Sequence, residues 1–72
     1  MLNKKITIVA DTVIDEVKIA NYIAVLNVDT GELSIASRNI DNEACKANRE
    51  VVRADRAEFE DFAYKLQDML KN

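Results

Sequence analysis

The clearest pattern of apolar and polar positions lies at the end of the chain. Between Asp55 and Leu70, apolar residues recur three or four positions apart, as on one face of a helix. Asp55 is a predicted N-cap, and Glu58 follows three residues later, as in a capping box. We therefore predict a terminal helix with an apolar stripe that packs in the fold or forms an interface. The residues of this apolar stripe are Phe59, Phe62, Leu66, Met69 and Leu70, with Ala63 between them.

Two earlier segments have the alternation and the β-branched residues that are typical of strands. Residues 5–14 form the first predicted strand, in which Asp11 and Thr12 mark a bend or bulge. Residues 17–28 form a second, longer strand. One of its faces carries Tyr22, Ala24, Leu26 and Val28, and the other carries Ile19, Ile23 and Val25. Because both faces are partly apolar, we expect the second face to meet another element or a second subunit as well.

A tight turn is predicted where the only glycine of the chain occurs. Gly31 follows Asp29 and Thr30, and the apolar residues Leu33 and Ile35 come next. A type I turn followed by a glycine with positive φ is a common connection within a β-hairpin. A third strand then runs to about residue 37 or 38, with Leu33 and Ile35 facing inward.

The segment after the third strand contains helix-forming residues and no glycine or proline. Asp41 is a predicted N-cap for a helix over residues 42–54. This helix either ends near Asp55 or continues into the terminal helix as one rod over residues 42–71, and the capping signal at Asp55 favours the break. The whole chain, residues 1–72, is expected to be one α+β domain. Its predicted fold is a three-stranded antiparallel meander followed by one or two C-terminal helices packed on the sheet.

Composition changes this picture in two ways. A domain of 72 residues buries only about 60% of its unfolded surface, and a single cysteine with no histidine leaves no intrachain disulfide and no typical zinc site. Oligomerisation is therefore the expected additional source of stability. The formal net charge is −3, no segment is long enough to span a bilayer, and the lone cysteine suits a reducing compartment. We expect a cytoplasmic protein that does not interact with membranes.

The residue types disfavour catalysis. One glycine is too few for a phosphate-binding or dinucleotide-binding loop, and without histidine the usual nucleophile–base pairs are missing. Cys45 is interpreted as a packing residue of a helix. The acids Asp11, Asp15 and Glu16 are interpreted as a solvated turn rather than as a metal site. We therefore predict no catalytic residue, no metal and no cofactor.

One cluster of charges suggests binding. Lys46, Arg49, Arg53 and Arg56 are spaced three, four and three residues apart, so on a continuous helix they form one basic stripe. Such a stripe is either a contact surface for phosphates or an acidic partner, or a solvated face partly neutralised by Glu43 and Glu50. The second interpretation is favoured because the basic excess is small, and a break at Asp55 would separate Arg56 from the stripe.

Two segments resemble small proteins encoded by phages and prophages of Gram-positive bacteria such as streptococci and lactococci. They are VDTGELSI at 28–35 and EACKANREVVRADRAEFEDFAYKLQD at 43–68. The resemblance implies an origin and an interaction protein, and it assigns no functional residue.

The preferred prediction is a non-enzymatic, oligomeric interaction or assembly protein that is encoded by a phage or prophage. Its partner would be a protein, including a second copy of the chain. The first alternative is a nucleic-acid-binding accessory protein that uses the basic stripe. The second alternative is an acidic anti-defence inhibitor whose contact face is formed by the acids of the terminal helix, Glu58, Glu60, Asp61 and Asp68.

Overall fold

The computed structural model of the chain describes residues 2–70. Three antiparallel strands form one sheet in the order β1-β2-β3, and two helices follow them along the chain. This arrangement confirms the predicted α+β fold with the order β-β-β-α-α. The elements are β1 (Lys5–Ile14), β2 (Val17–Asn27), β3 (Leu33–Asn39), α1 (Asn42–Ala47) and α2 (Arg49–Leu70).

The core lies between one face of the sheet and the two helices. Tyr22, Ala24 and Leu26 of the central strand are buried, as their alternation predicted. Leu33 and Ile35 of β3 pack against the same core and confirm the inward face of that strand. We call this side of the sheet the covered face and the opposite side the outer face.

A β-bulge changes the alternation near the start of β2. Thr12 pairs with Ala20 and Val13 pairs with Lys18, so Ile19 is an extra residue in the pairing of β1 with β2. The predicted irregularity near Thr12 is thereby confirmed. The prediction that Ile19 lies on the outer face is wrong, because the bulge turns Ile19 inward beside Ala20, and its side chain is buried.

The same bulge anchors the connection from β3 to α1. The Ile19 carbonyl oxygen accepts hydrogen bonds from the backbone N–H groups of Ile40 at 2.9 Å and Asp41 at 3.2 Å. The Cys45 thiol donates to the same oxygen at 3.2 Å. Cys45 is buried, as expected of a packing residue. These three donors hold the start of α1 over the central strand.

A hydroxyl pair is buried at the centre of the core. Thr12 and Tyr22 are both buried, and Thr12 Oγ1 lies 2.6 Å from the Tyr22 hydroxyl. The Tyr22 hydroxyl also donates to the Val52 carbonyl of α2 at 3.4 Å. The ring of Phe59 lies beside that of Tyr22, with 5.7 Å between the ring centroids. A polar pair is stable here because each hydroxyl has a partner.

The turn between β2 and β3 has the predicted geometry at its glycine. Gly31 has φ of +80°, and its N–H donates to the Asn27 carbonyl at 2.8 Å. Helix α2 also holds this turn, because Gln67 Nε2 donates to the Gly31 carbonyl at 2.6 Å. Strand β2 ends at Asn27, so Val28 belongs to the turn and not to the inward face of the strand.

The turn between β1 and β2 contains two residues with positive φ, although neither is glycine. Asp15 has φ of 48° and Glu16 has φ of 68°. Two-residue hairpin turns of this kind match the twist of the strands, and they normally contain asparagine and glycine. The sequence predicted only a polar break at this position.

The two helices are separated at Asn48, and the predicted break at Asp55 is wrong. Asp41 caps α1 as expected, and its carboxylate accepts from the Ala44 N–H at 3.1 Å. Asn48 ends α1 with φ of −119°, and its side-chain amide donates to the Ala44 carbonyl at 2.9 Å. Asparagine side chains compete in this way with helical hydrogen bonds. Asp55 therefore lies inside α2, and Lys71, the last residue of the alternative rod, lies outside the described residues.

The apolar stripe of α2 is only partly used for packing. Phe59 is buried together with Ala63, and Leu66 is half-buried. Phe62, Met69 and Leu70 are exposed, with 56% of the Phe62 surface accessible to solvent. The sheet therefore covers the centre of the stripe and leaves its remaining members on the surface.

Candidate functional site: a basic groove

Four cationic side chains lie on both sides of the break at Asn48 and face one side of the helical layer. Lys46 lies in the last turn of α1, and the three arginines lie in the first turns of α2. Positions 49, 53 and 56 follow one another at four and three residues, so they share one flank of α2. The Val52 N–H donates to the Asn48 carbonyl at 3.0 Å, so α2 begins immediately after the break.

All four predicted stripe residues line one groove, which we call the basic groove. Its volume is about 380 Å³, and it lies between the end of β3, α1 and the beginning of α2. Cys45 and Val52 are the buried residues that line it. The full lining consists of Asn39, Asn42, Cys45, Lys46, Arg49, Val52, Arg53 and Arg56.

The charged residues that line the basic groove are all cations. No aspartate or glutamate is among its lining residues, and none of its four cations forms an ion pair with any residue of the described range 2–70. Glu43 and Glu50 were expected to neutralise part of the stripe, but neither forms an ion pair with it. A concave surface lined by one sign of charge concentrates the electrostatic potential and attracts ions of the opposite sign.

The opposite flank of α2 carries acidic and aromatic residues instead of cations. A second groove of about 280 Å³ runs between α2 and β1, and Asp55 and Glu58 are the acidic residues of α2 that line it. Phe59 and Phe62 contribute aromatic surface to it. Asp55 and Glu58, which the sequence suggested as a capping box, are thus flanking charges within a continuous helix. The remaining predicted acids of α2 are solvent-facing or half-buried, and Asp61 pairs with Lys65 at 2.9 Å.

Two amides that the sequence did not indicate also line the basic groove. Asn39 is the last residue of β3, and Asn42 is the first residue of α1. Their side chains add neutral hydrogen-bonding groups next to the cations, and such groups commonly contact phosphate oxygens. No sequence signal connects Asn39 with Arg56, because they meet only through the packing of α2 beside β3.

The acidic residues do not assemble a metal site within residues 2–70. No group of three or more histidine, cysteine, aspartate or glutamate residues is placed there to hold a metal ion. Asp11 accepts from Asn21 Nδ2 at 2.9 Å and lies 3.7 Å from the Lys18 ammonium, whereas Asp15 and Glu16 form the hairpin turn. The acids that the sequence grouped together are therefore used in separate local contacts.

Neither helix of the described chain combines the length and the apolar character needed to cross a membrane. Comparison with protein-family models, with curated proteins and with solved structures finds no match to this chain.

Proposed function

We propose that this protein is a non-enzymatic nucleic-acid-binding accessory protein whose basic groove contacts the phosphate backbone. The observation that supports this proposal is the convergence on one groove of four cations that form no ion pair within residues 2–70, in a chain whose formal net charge is −3. The acidic surfaces elsewhere would disfavour non-specific adsorption, so the groove would be the place where phosphates approach.

The chemistry of the groove indicates contact with phosphates rather than with bases. Its lining residues are cations, two amides, a cysteine and a valine, and no aromatic ring is among them. Stacking on unpaired bases requires aromatic side chains, whereas lysine, arginine and asparagine contact phosphate oxygens without reading sequence. The proposed mode is therefore sequence-independent binding to the backbone.

Salt dependence of binding tests the proposal directly. Fluorescence anisotropy would follow the binding of labelled duplex DNA, single-stranded DNA and RNA at increasing salt concentrations. Each neutralised phosphate contributes about −0.9 to the slope of log K against log salt for duplex DNA, so phosphate contacts by all four cations give a slope of about −3.6. Absence of binding to all three nucleic acids at low salt would rule out the proposal.

A matched pair of charge reversals distinguishes the groove from overall charge. Arg53→Glu should weaken binding by about tenfold or more at low salt and should reduce the salt slope by about one. Lys65→Glu is the control, because Lys65 is exposed on the same helix outside the groove and the change in net charge is identical. An equal loss in both variants would show that the groove has no specific role.

The protein–protein interaction that the sequence favoured remains a prediction, and it concerns other surfaces of the molecule. A cytoplasmic location is also part of the proposal, supported by the single cysteine, which is buried as a free thiol. The resemblance to phage proteins agrees with an accessory binding role.

A further inference from the structure

The outer face of the sheet is apolar at its centre, and no helix of the described chain covers it. Val9, Ile23 and Ala36 form one row across the three strands, and Thr7, Val25 and Ser34 form the next. Val9 is 59% exposed and Ile23 is 39% exposed. The covered face of the same sheet contains the core, so this second apolar surface adds nothing to the packing within one chain.

The two ends of the outer face carry opposite patterns of charge. At one end, Asp11 of β1 and Arg38 of β3 flank Asn21. At the other end, Lys5 of β1 pairs with Asn27, whose N–H donates to the Glu32 carbonyl at 2.8 Å. Along β1 the charge therefore changes from positive at Lys5 to negative at Asp11. Along the neighbouring edge it changes from negative at Glu32, just before β3, to positive at Arg38. This pattern is complementary to itself.

We propose that a second copy of this chain covers the outer face, related by a two-fold axis that lies between the sheets and across the strands. This axis places Asp11 of one copy opposite Lys5 of the other and Arg38 opposite Glu32, so four pairs of opposite charge surround the interface. Ile23 then faces Val25 of the other copy at the centre. Two sheets packed with nearly aligned strands are a common arrangement in proteins.

Charge also selects between this axis and a two-fold axis parallel to the strands. Lys18 is exposed on the central strand, 3.7 Å from Asp11. An axis parallel to the strands would bring Lys18 of both copies to the same level, where they repel each other. The axis across the strands instead separates the two Lys18 side chains and places each one toward the β2–β3 turn of the partner, where Asp29 forms an ion pair with Lys4. The second arrangement is therefore favoured.

The size of the surface predicts a weak dimer. Seven residues along three strands give a face of roughly 20 Å by 15 Å, which is smaller than the surface of a typical stable interface. The helices remain outside, so the basic grooves stay accessible, and the dimer does not depend on the proposed nucleic-acid binding. Sedimentation equilibrium from low to high micromolar concentration should show a monomer–dimer equilibrium. A monomer over the whole range would refute the proposal.

The location of the interface is tested by two matched substitutions. Ile23→Lys places a charge on the outer face and should weaken dimerisation by at least about tenfold. Val51→Lys is the control, because Val51 is 41% exposed on α2 and lies away from the outer face. Circular dichroism would verify that both variants are folded. A dimer that is disrupted by Val51→Lys and not by Ile23→Lys would place the interface elsewhere.

A charge exchange tests the axis without any change to the apolar surface. Arg38→Glu and Glu32→Arg should each weaken the homodimer, because both place like charges opposite each other. An equimolar mixture of the two variants should recover dimerisation, since each reversed charge then meets its complement. An axis parallel to the strands would pair Arg38 with Asp11 instead, and the mixture would show no recovery. That result would refute the proposed geometry.

Discussion

The covered and outer faces of the sheet show that the same kind of alternation leads to two different physical roles. On the covered face, Tyr22 and Leu26 are buried beneath the helices, and the hydroxyl of Tyr22 has partners in β1 and α2. On the outer face, Val9 and Ile23 remain exposed although both are β-branched strand residues. The covered face supplies the stability of one chain, whereas the apolar outer face is available for association.

The largest expected effect distinguishes core from surface within one helix. Phe59→Ala should destabilise the protein by about 3–5 kcal/mol, because it removes a buried ring beside Tyr22. Phe62→Ala is the matched control and should cost far less, since Phe62 is more than half exposed. Urea denaturation of both variants at one protein concentration measures the difference. Equal losses would contradict the assignment of the core.

The next effect concerns the buried hydroxyl pair. Tyr22→Phe should cost about 1–3 kcal/mol, because Thr12 is left with an unsatisfied hydroxyl in the core. Tyr64→Phe removes the same atom from a ring that is 53% exposed and should have almost no effect. Thermal unfolding followed by circular dichroism compares the two variants. A similar small shift in both would mean that water reaches the Thr12 hydroxyl.

The turns determine strand register, and a one-residue slip would exchange the covered face of a strand with its outer face. Gly31→Val should destabilise the hairpin by about 1–2 kcal/mol or more, since a β-branched residue tolerates positive φ poorly. Gly31→Ala measures the cost of the positive φ alone, because no atom lies within 4 Å of an added Cβ. An unchanged melting temperature in Gly31→Val would refute this account of the turn.

The smallest effect should be a gain in stability from a substitution in the turn between β1 and β2. Glu16→Gly should stabilise the protein by about 0.5–1 kcal/mol, because glycine adopts the φ of 68° without steric cost. Glu50→Gly, in the first turn of α2, provides a contrast and should destabilise the helix. The melting temperatures of both variants measure the two effects. A loss of stability in Glu16→Gly would show that the turn is not strained.

The sequence predicted features that depend on neighbouring residues in the chain. Alternating β-branched residues indicated the first two strands, because strand side chains point to opposite faces with a period of two, and the turn at Gly31 indicated the third. Asp41 as a cap and Gly31 with positive φ also followed from local chemistry, and the structure confirms both. The absence of histidine and the single glycine limited the possible chemistry before any fold was known.

Features that depend on how distant segments meet were decided only by the tertiary structure. Asp41, Asn48 and Asp55 each have a side chain that can cap or interrupt a helix, and local signals do not rank them. Hydrogen bonds tie the start of α1 to the Ile19 carbonyl, and the Asn48 side chain bonds the Ala44 carbonyl at its end. The break falls at Asn48, Asp55 lies within α2, and the packing of α2 beside β3 brings the four cations and Asn39 to one groove.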